Sequence, residues 1–117
     1  MDFEYSTRES GPVITLALKG DLIERNQAEP LLSQHQQLLQ AGSRSFIINL
    51  KELRYMNSSG INVLINILTR SRNVGGEVVV TQLSDKAKQL LVVTKLNTVF
   101  NVTETEEEAM AVFSNNI

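Results

Sequence analysis

Phe46-Ile47-Ile48-Asn49-Leu50, and after it Tyr55-Met56-Asn57-Ser58-Ser59-Gly60-Ile61, is the stretch on which the reading of the fold turns. The first run is short, apolar and bounded by turn residues, which suits a strand buried on both faces. The second opens a helix after a short loop. Asn57 is a strong N-cap residue, and Ile61, Leu64, Ile65 and Leu68 recur at i, i+3, i+4 and i+7. Asn62, Asn66, Thr69 and Asn73 share the opposite, polar face. Gly75-Gly76 closes that helix, and Glu77-Val78-Val79-Val80 supplies the next strand.

The same punctuation extends in both directions. Upstream, residues 3–8 and 13–19 read as a β-hairpin turning at Gly11-Pro12. A helix follows, with Asn26 able to cap it and Pro30 tolerable only near its start; Ala28, Leu31, Leu32, Leu38 and Leu39 share one face before Gly42 ends it. Downstream, Ser84 can cap a third helix that turns Ala87, Leu90 and Leu91 inward, and residues 99–102 suit a last short strand. Thr105 with Glu108 matches a capping box for a final helix presenting Ala109, Val112 and Phe113. The order β-β-α-β-α-β-α-β-α predicts an α/β domain: a single-layer mixed, mostly parallel sheet with an N-terminal antiparallel hairpin strand and about four helices. Residues 1–117 read as one such domain, a length that buries a core without disulfides or metal.

Composition narrows the function. Eleven basic against thirteen acidic residues leave a net charge of −2, which offers no electrostatic footprint for nucleic acid or an anionic membrane. There is no cysteine, which removes disulfides, thiolate metal sites and cysteine nucleophiles. The N-terminus begins with acids where a signal peptide needs a basic stretch, and no segment approaches the roughly 18 apolar residues of a membrane span. These features predict a cytoplasmic protein.

Chemistry concentrates at Asn57-Ser58-Ser59-Gly60. Two hydroxyls stand in the first turn of a helix, where backbone N–H groups lack partners and the macrodipole is positive, so a phosphate there would not disturb the fold. The site also lies at the C-terminal ends of the strands, where α/β sheets place function. On spacing alone the plainer reading, an N-cap followed by two ordinary serines, is the stronger one.

Leu53 to Ile61, with Arg70 to Gly76 and Glu77-Val78-Val79-Val80, resembles the STAS domain family, specifically bacterial anti-sigma factor antagonists. The similarity extends through Gly20-Asp21-Leu22, Leu83-Ser84 and Glu108-Ala109. The family pattern at the helix start is Asp-Ser-Ser-Gly or Asp-Ser-Thr-Gly, and its first hydroxyl residue is phosphorylated by a serine kinase that doubles as the anti-sigma factor. By that match Ser58 would be the modified residue, and Asn57, Ser59, Gly60, Ile61, Asn62 and Asp21 would belong to the partner-binding surface. The resemblance implies partner switching: the unmodified domain binds an anti-sigma factor of the serine kinase type, phosphorylation releases it, and a PP2C-like phosphatase would reset the cycle. It implies no cofactor and no enzymatic activity. The chain departs from the pattern at Asn57, Asn49 and Ile23, where the family commonly carries acids; Asp21 is the acid that remains. The rival expectation is a constitutive STAS scaffold or transporter-associated module without phosphorylation.

Other residues read as structural. His35, the only histidine, falls within the leucine stripe of the first helix and suits a partly buried core position better than a general base. No Gly-x-Ser-x-Gly elbow surrounds Ser58 or Ser59. Gly75-Gly76 lacks the lysine and spacing of a phosphate loop, and Glu104, Glu106, Glu107 and Glu108 complement a helix N-terminus. Arg70 and Arg72 do the converse at a helix C-terminus.

Overall fold

Strand β1 (Glu4–Ser10) pairs antiparallel with β2 (Val13–Leu22), and β3 (Ser45–Met56), β4 (Glu77–Thr81) and β5 (Asn101–Thr103) follow in parallel, giving a sheet in the order β1-β2-β3-β4-β5. The computed structural model describes residues 2–114. Helices α1 (Glu29–Gln40), α2 (Ser58–Asn73) and α3 (Asp85–Val93) make the three parallel crossovers, and α4 (Glu106–Ser114) follows β5. Because the strand order advances one step at a time, right-handed crossovers must lay α1, α2 and α3 on the same face. The packing agrees. Phe46, Ile48 and Leu50 of β3 share one core with Leu31, Leu64 and Leu68 on that face, while Val13, Ile47 and Val79 cluster with Ala109, Met110 and Phe113 of α4 on the other. Phe46, Ile47 and Ile48 are fully buried, as the apolar run predicts for a strand covered on both sides.

The two hairpin strands run on past the expected 8 and 19, to Ser10 and Leu22, and three further boundaries differ for local reasons. β3 does not stop at Leu50: it runs to Met56 and pairs Glu52 to Met56 with the end of β2, so the short loop expected before the helix shrinks to Asn57. It was hidden because β3 carries an extra residue between the Ala17–Asn49 and Lys19–Glu52 pairs, and another between Gly20–Leu53 and Asp21–Tyr55. These bulges turn Leu50, Leu53 and Met56 inward at intervals of three, which breaks the alternation that marks a strand. Asn26 does not cap α1. A 3-10 turn (Arg25–Ala28) precedes the helix, closed by Glu24 and Gln27, with Gln27 Oε1 accepting the backbone N–H of Ile23 and of Glu24 at 2.9 Å. The last strand is Asn101–Thr103 rather than 99–102, because Leu96–Thr98 forms a second 3-10 turn. Elsewhere the caps are as expected: Ser84 Oγ accepts from Ala87 N–H at 3.1 Å, and Thr105 and Glu108 form their reciprocal box.

His35 is fully buried, further in than the partly buried position expected, and it joins α1 to α2. Ser71 Oγ donates to the Ile67 carbonyl at 2.8 Å, so its lone pair is left to accept from His35 Nε2–H at 2.9 Å. That fixes the tautomer, with a bare Nδ1 that has no hydrogen-bond partner among the described residues. The ring also meets Phe46 edge-on, centroids 4.8 Å apart. Burial, assisted by the Arg70 charge, lowers the His35 pKa from 6.5 to about 4. Above pH 6.5 folded and unfolded chains are both neutral at this residue. Below it the unfolded chain takes up a proton that the folded chain refuses, so stability falls between pH 6.5 and about 4, by up to about 3 kcal/mol. Urea midpoints measured across that window should fall with acid, and His35→Leu should flatten the slope; an equal slope in both proteins would refute the assignment.

Candidate functional site

The tail of β3 delivers the chain to α2 at the C-terminal edge of the sheet. Asn57 leaves β3 in an extended conformation (φ −111°, ψ −167°), and its Oδ1 accepts the Gly60 N–H at 3.1 Å, which is the N-cap bond expected of it. Its Nδ2 also donates to the Ile23 carbonyl at 3.1 Å, tying the start of α2 to the chain leaving β2. An aspartate could make the first bond but not the second. Asparagine here is therefore more than a neutral replacement for an acid, because the amide does two jobs at once.

The residues expected at the partner surface divide into two sets. Ser58 and Asn62 are exposed and Asn57, Ser59 and Asp21 half-buried, all on or beside the first turn of α2. Neither serine side chain is engaged in a hydrogen bond among the described residues. Gly60 and Ile61 are buried instead: Ile61 is 2% exposed and belongs to the core. They support the surface from beneath and do not present it. Gly60 lies where the start of α2 meets the ends of two strands. A Cβ on it would stand 2.6 Å from the Leu22 carbonyl oxygen and 2.5 Å from Met56 Cγ, so the missing side chain lets α2 settle on the ends of β2 and β3.

Asp21 is committed to Arg54, which donates from Nε at 2.9 Å and from Nη2 to the second carboxylate oxygen. That hydrogen-bonded guanidinium holds the Asp21 pKa down at about 2 and raises the pKa of Arg54. Asp21 thus carries its own counter-charge. Asn49 is not near the serines at all. It lies mid-strand on the α4 face, donating to Glu106 Oε1 at 2.8 Å and accepting from Lys51 N–H. Glu106 also takes Arg8 at 2.8 Å, and its pKa is lowered by the Asn49 amide first and the arginine second. The acidic run at α4 is therefore partly a tether across the sheet as well as a complement to the helix dipole.

Beside Ser58 opens a cavity of about 290 Å3 that the sequence did not foreshadow. The β3 tail supplies Leu50, Leu53 and Met56 to its wall, and α3 supplies Ala87 and Leu90. Asn57 and Ser58 form part of the rim, with Arg54 and Lys86. Tyr55, 53% exposed, stands at the same edge. The arrangement follows from topology: α2 and α3 start at the C-terminal ends of adjacent parallel strands, so their N-termini are neighbours. His35 cannot serve the serines, because its partner Ser71 is thirteen residues along α2 from Ser58, about 20 Å of helix axis. Among the described residues no cluster of metal-ligating side chains occurs, and no helix is long and apolar enough to cross a membrane.

Comparison with known proteins adds three relatives. BtrV of Bordetella bronchiseptica, provisionally named an anti-sigma factor antagonist, is 25% identical over 92 residues, covering 79% of each chain. A Thermotoga maritima protein, also provisionally named an anti-sigma factor antagonist, superposes with a TM-score of 0.83 at 21% identity over 92% of both chains. SpoIIAA, named an anti-sigma factor antagonist and a Bacillus cell fate determinant, has been solved unphosphorylated and phosphorylated. The two forms superpose at TM-scores of 0.75 and 0.74, with 18% and 19% identity, over 95% and 94% of this chain and 98% and 99% of theirs. At these identities the structural matches establish the fold. The family model described as the STAS domain matches residues 4–109, nearly the whole length, and this chain belongs to the STAS domain family.

Proposed function

We propose that the chain is an anti-sigma factor antagonist that works by partner switching, binding an anti-sigma factor of the serine kinase type while Ser58 is unmodified and releasing it when Ser58 is phosphorylated. The observation that carries the reading is the setting of Ser58: exposed, with an unengaged hydroxyl, at the first position of a helix whose cap bond is made by the neighbouring Asn57. A kinase can reach that oxygen without unfolding anything. A phosphate there adds about −1.5 to −2 charges next to the positive end of α2, which the isolated domain tolerates and a tight protein interface does not. The names of BtrV and SpoIIAA, and the existence of a phosphorylated form of SpoIIAA, support the same reading. The function is binding and not catalysis, in a cytoplasmic protein of a single domain over residues 1–117, with a PP2C-like phosphatase as the resetting enzyme.

Incubation with the anti-sigma kinase of the same genome and ATP, followed by peptide mass mapping, tests it directly. Phosphate should appear on Ser58 and vanish in Ser58→Ala. Phosphate confined to other positions, or none at all, would overturn the switch.

A further inference from the structure

The cavity beside Ser58 is small, apolar inside and cationic at its rim. Its volume of about 290 Å3 lies at the bottom of the range that accommodates free ligands, which fits a side chain inserted from a protein better than a cofactor. Its walls are leucines, a methionine and an alanine, the kind of pocket into which interface anchors pack. No carboxylate lines it. Of its two cations, Arg54 is occupied by Asp21, whereas Lys86 is exposed and makes no ion pair among the described residues. Asn57 and Ile23, at this end of the sheet, are uncharged.

We propose that this cavity receives an apolar side chain of the partner protein, that the adjoining partner residue is a carboxylate, and that Lys86 pairs with that carboxylate. The inference rests on the partner-binding reading of the Ser58 surface and adds the chemistry of what docks there. It also gives the switch its sign. A phosphate on Ser58 stands on the rim of the same cavity, repels the incoming carboxylate and offers Lys86 a competing anion.

The test uses the full chain with labelled leucine, methionine and alanine methyl groups, titrated with N-acetyl-Leu-Glu-amide, N-acetyl-Leu-Gln-amide and N-acetyl-Leu-Lys-amide. The methyl signals of Leu53, Met56, Ala87 and Leu90 should move together. Leu-Glu should bind about two- to fivefold more tightly than Leu-Lys, the range of an exposed ion pair, with Leu-Gln between them. Lys86→Glu, a substitution at an exposed position, should invert the order. Shifts elsewhere in the molecule, no shifts, or affinities independent of probe charge would refute the proposal. The probes need no phosphate, so the two readings fail separately: charge-independent probes with normal phosphorylation leave the switch standing, and preferred Leu-Glu binding without phosphorylation at Ser58 leaves the pocket standing.

Discussion

Ser58→Asp should weaken binding to the anti-sigma factor by 100-fold or more, about 3 kcal/mol, while leaving the melting temperature of the isolated domain unchanged or slightly raised. The two halves of this expectation have one cause. At the first position of α2 a carboxylate faces unpaired backbone N–H groups and the positive end of the helix dipole, worth a few tenths of a kcal/mol to the fold. In a complex the same charge is stripped of water against a closely packed surface, at a cost of several kcal/mol unless a cation is waiting there. Titration calorimetry on the substituted and the stoichiometrically phosphorylated protein measures the first half, and a thermal melt the second. The phosphorylated protein should be the weaker binder, since it carries more charge than the mimic. A constitutive scaffold would behave otherwise: both proteins would keep their partner within a few fold, and that result would remove phosphorylation from the function.

Gly60→Ala is expected to destabilise the domain by about 2–3 kcal/mol, although alanine is the better helix former by roughly 1 kcal/mol in an ordinary helix. The added methyl would stand 2.6 Å from the Leu22 carbonyl oxygen and 2.5 Å from Met56 Cγ. Met56 can swing aside, but the carbonyl belongs to the backbone at the end of β2 and can yield only if the helix start lifts from the sheet. Lifting it would strain the Asn57 bonds to Gly60 and Ile23, so the damage should spread from stability to the site. Urea denaturation of Gly60→Ala beside Ser59→Ala separates the cases, because Ser59 is half-buried with an unengaged side chain and should cost less than about 1 kcal/mol. Equal midpoints for the two variants would mean that the close approach is not rigid.

Much of the architecture can be read from periodicity. The valine run of β4, the leucine stripe of α1, the i, i+3, i+4, i+7 pattern of α2 and the caps at Asn57, Ser84 and Thr105 are local properties, set by side-chain direction and by backbone groups seeking partners within a few residues. The buried stripe of α2 is nevertheless wider than that pattern: Val63, Ile67 and Ser71 join it, while Ile65 is only half-buried. A helix crossing between two neighbours buries more than one edge, and periodicity alone does not say how far the contact wraps.

Ser58, Asn57 and the helix start they occupy were therefore determined by the sequence itself, since capping chemistry is confined to one turn of chain. The inward turn of Ile61 already follows from the apolar stripe of α2, but only tertiary structure made Gly60 a point of close approach, because the Leu22 carbonyl that a side chain there would strike lies thirty-eight residues away on β2. Tertiary structure also decided that Asp21 would be neutralised by Arg54, thirty-three residues away, and that Asn49 would serve the α4 face. The bulged tail of β3 and the cavity between it and α3 belong to the same class: they depend on register between strands and on which strand ends lie side by side, and those relations are made across the chain and not along it.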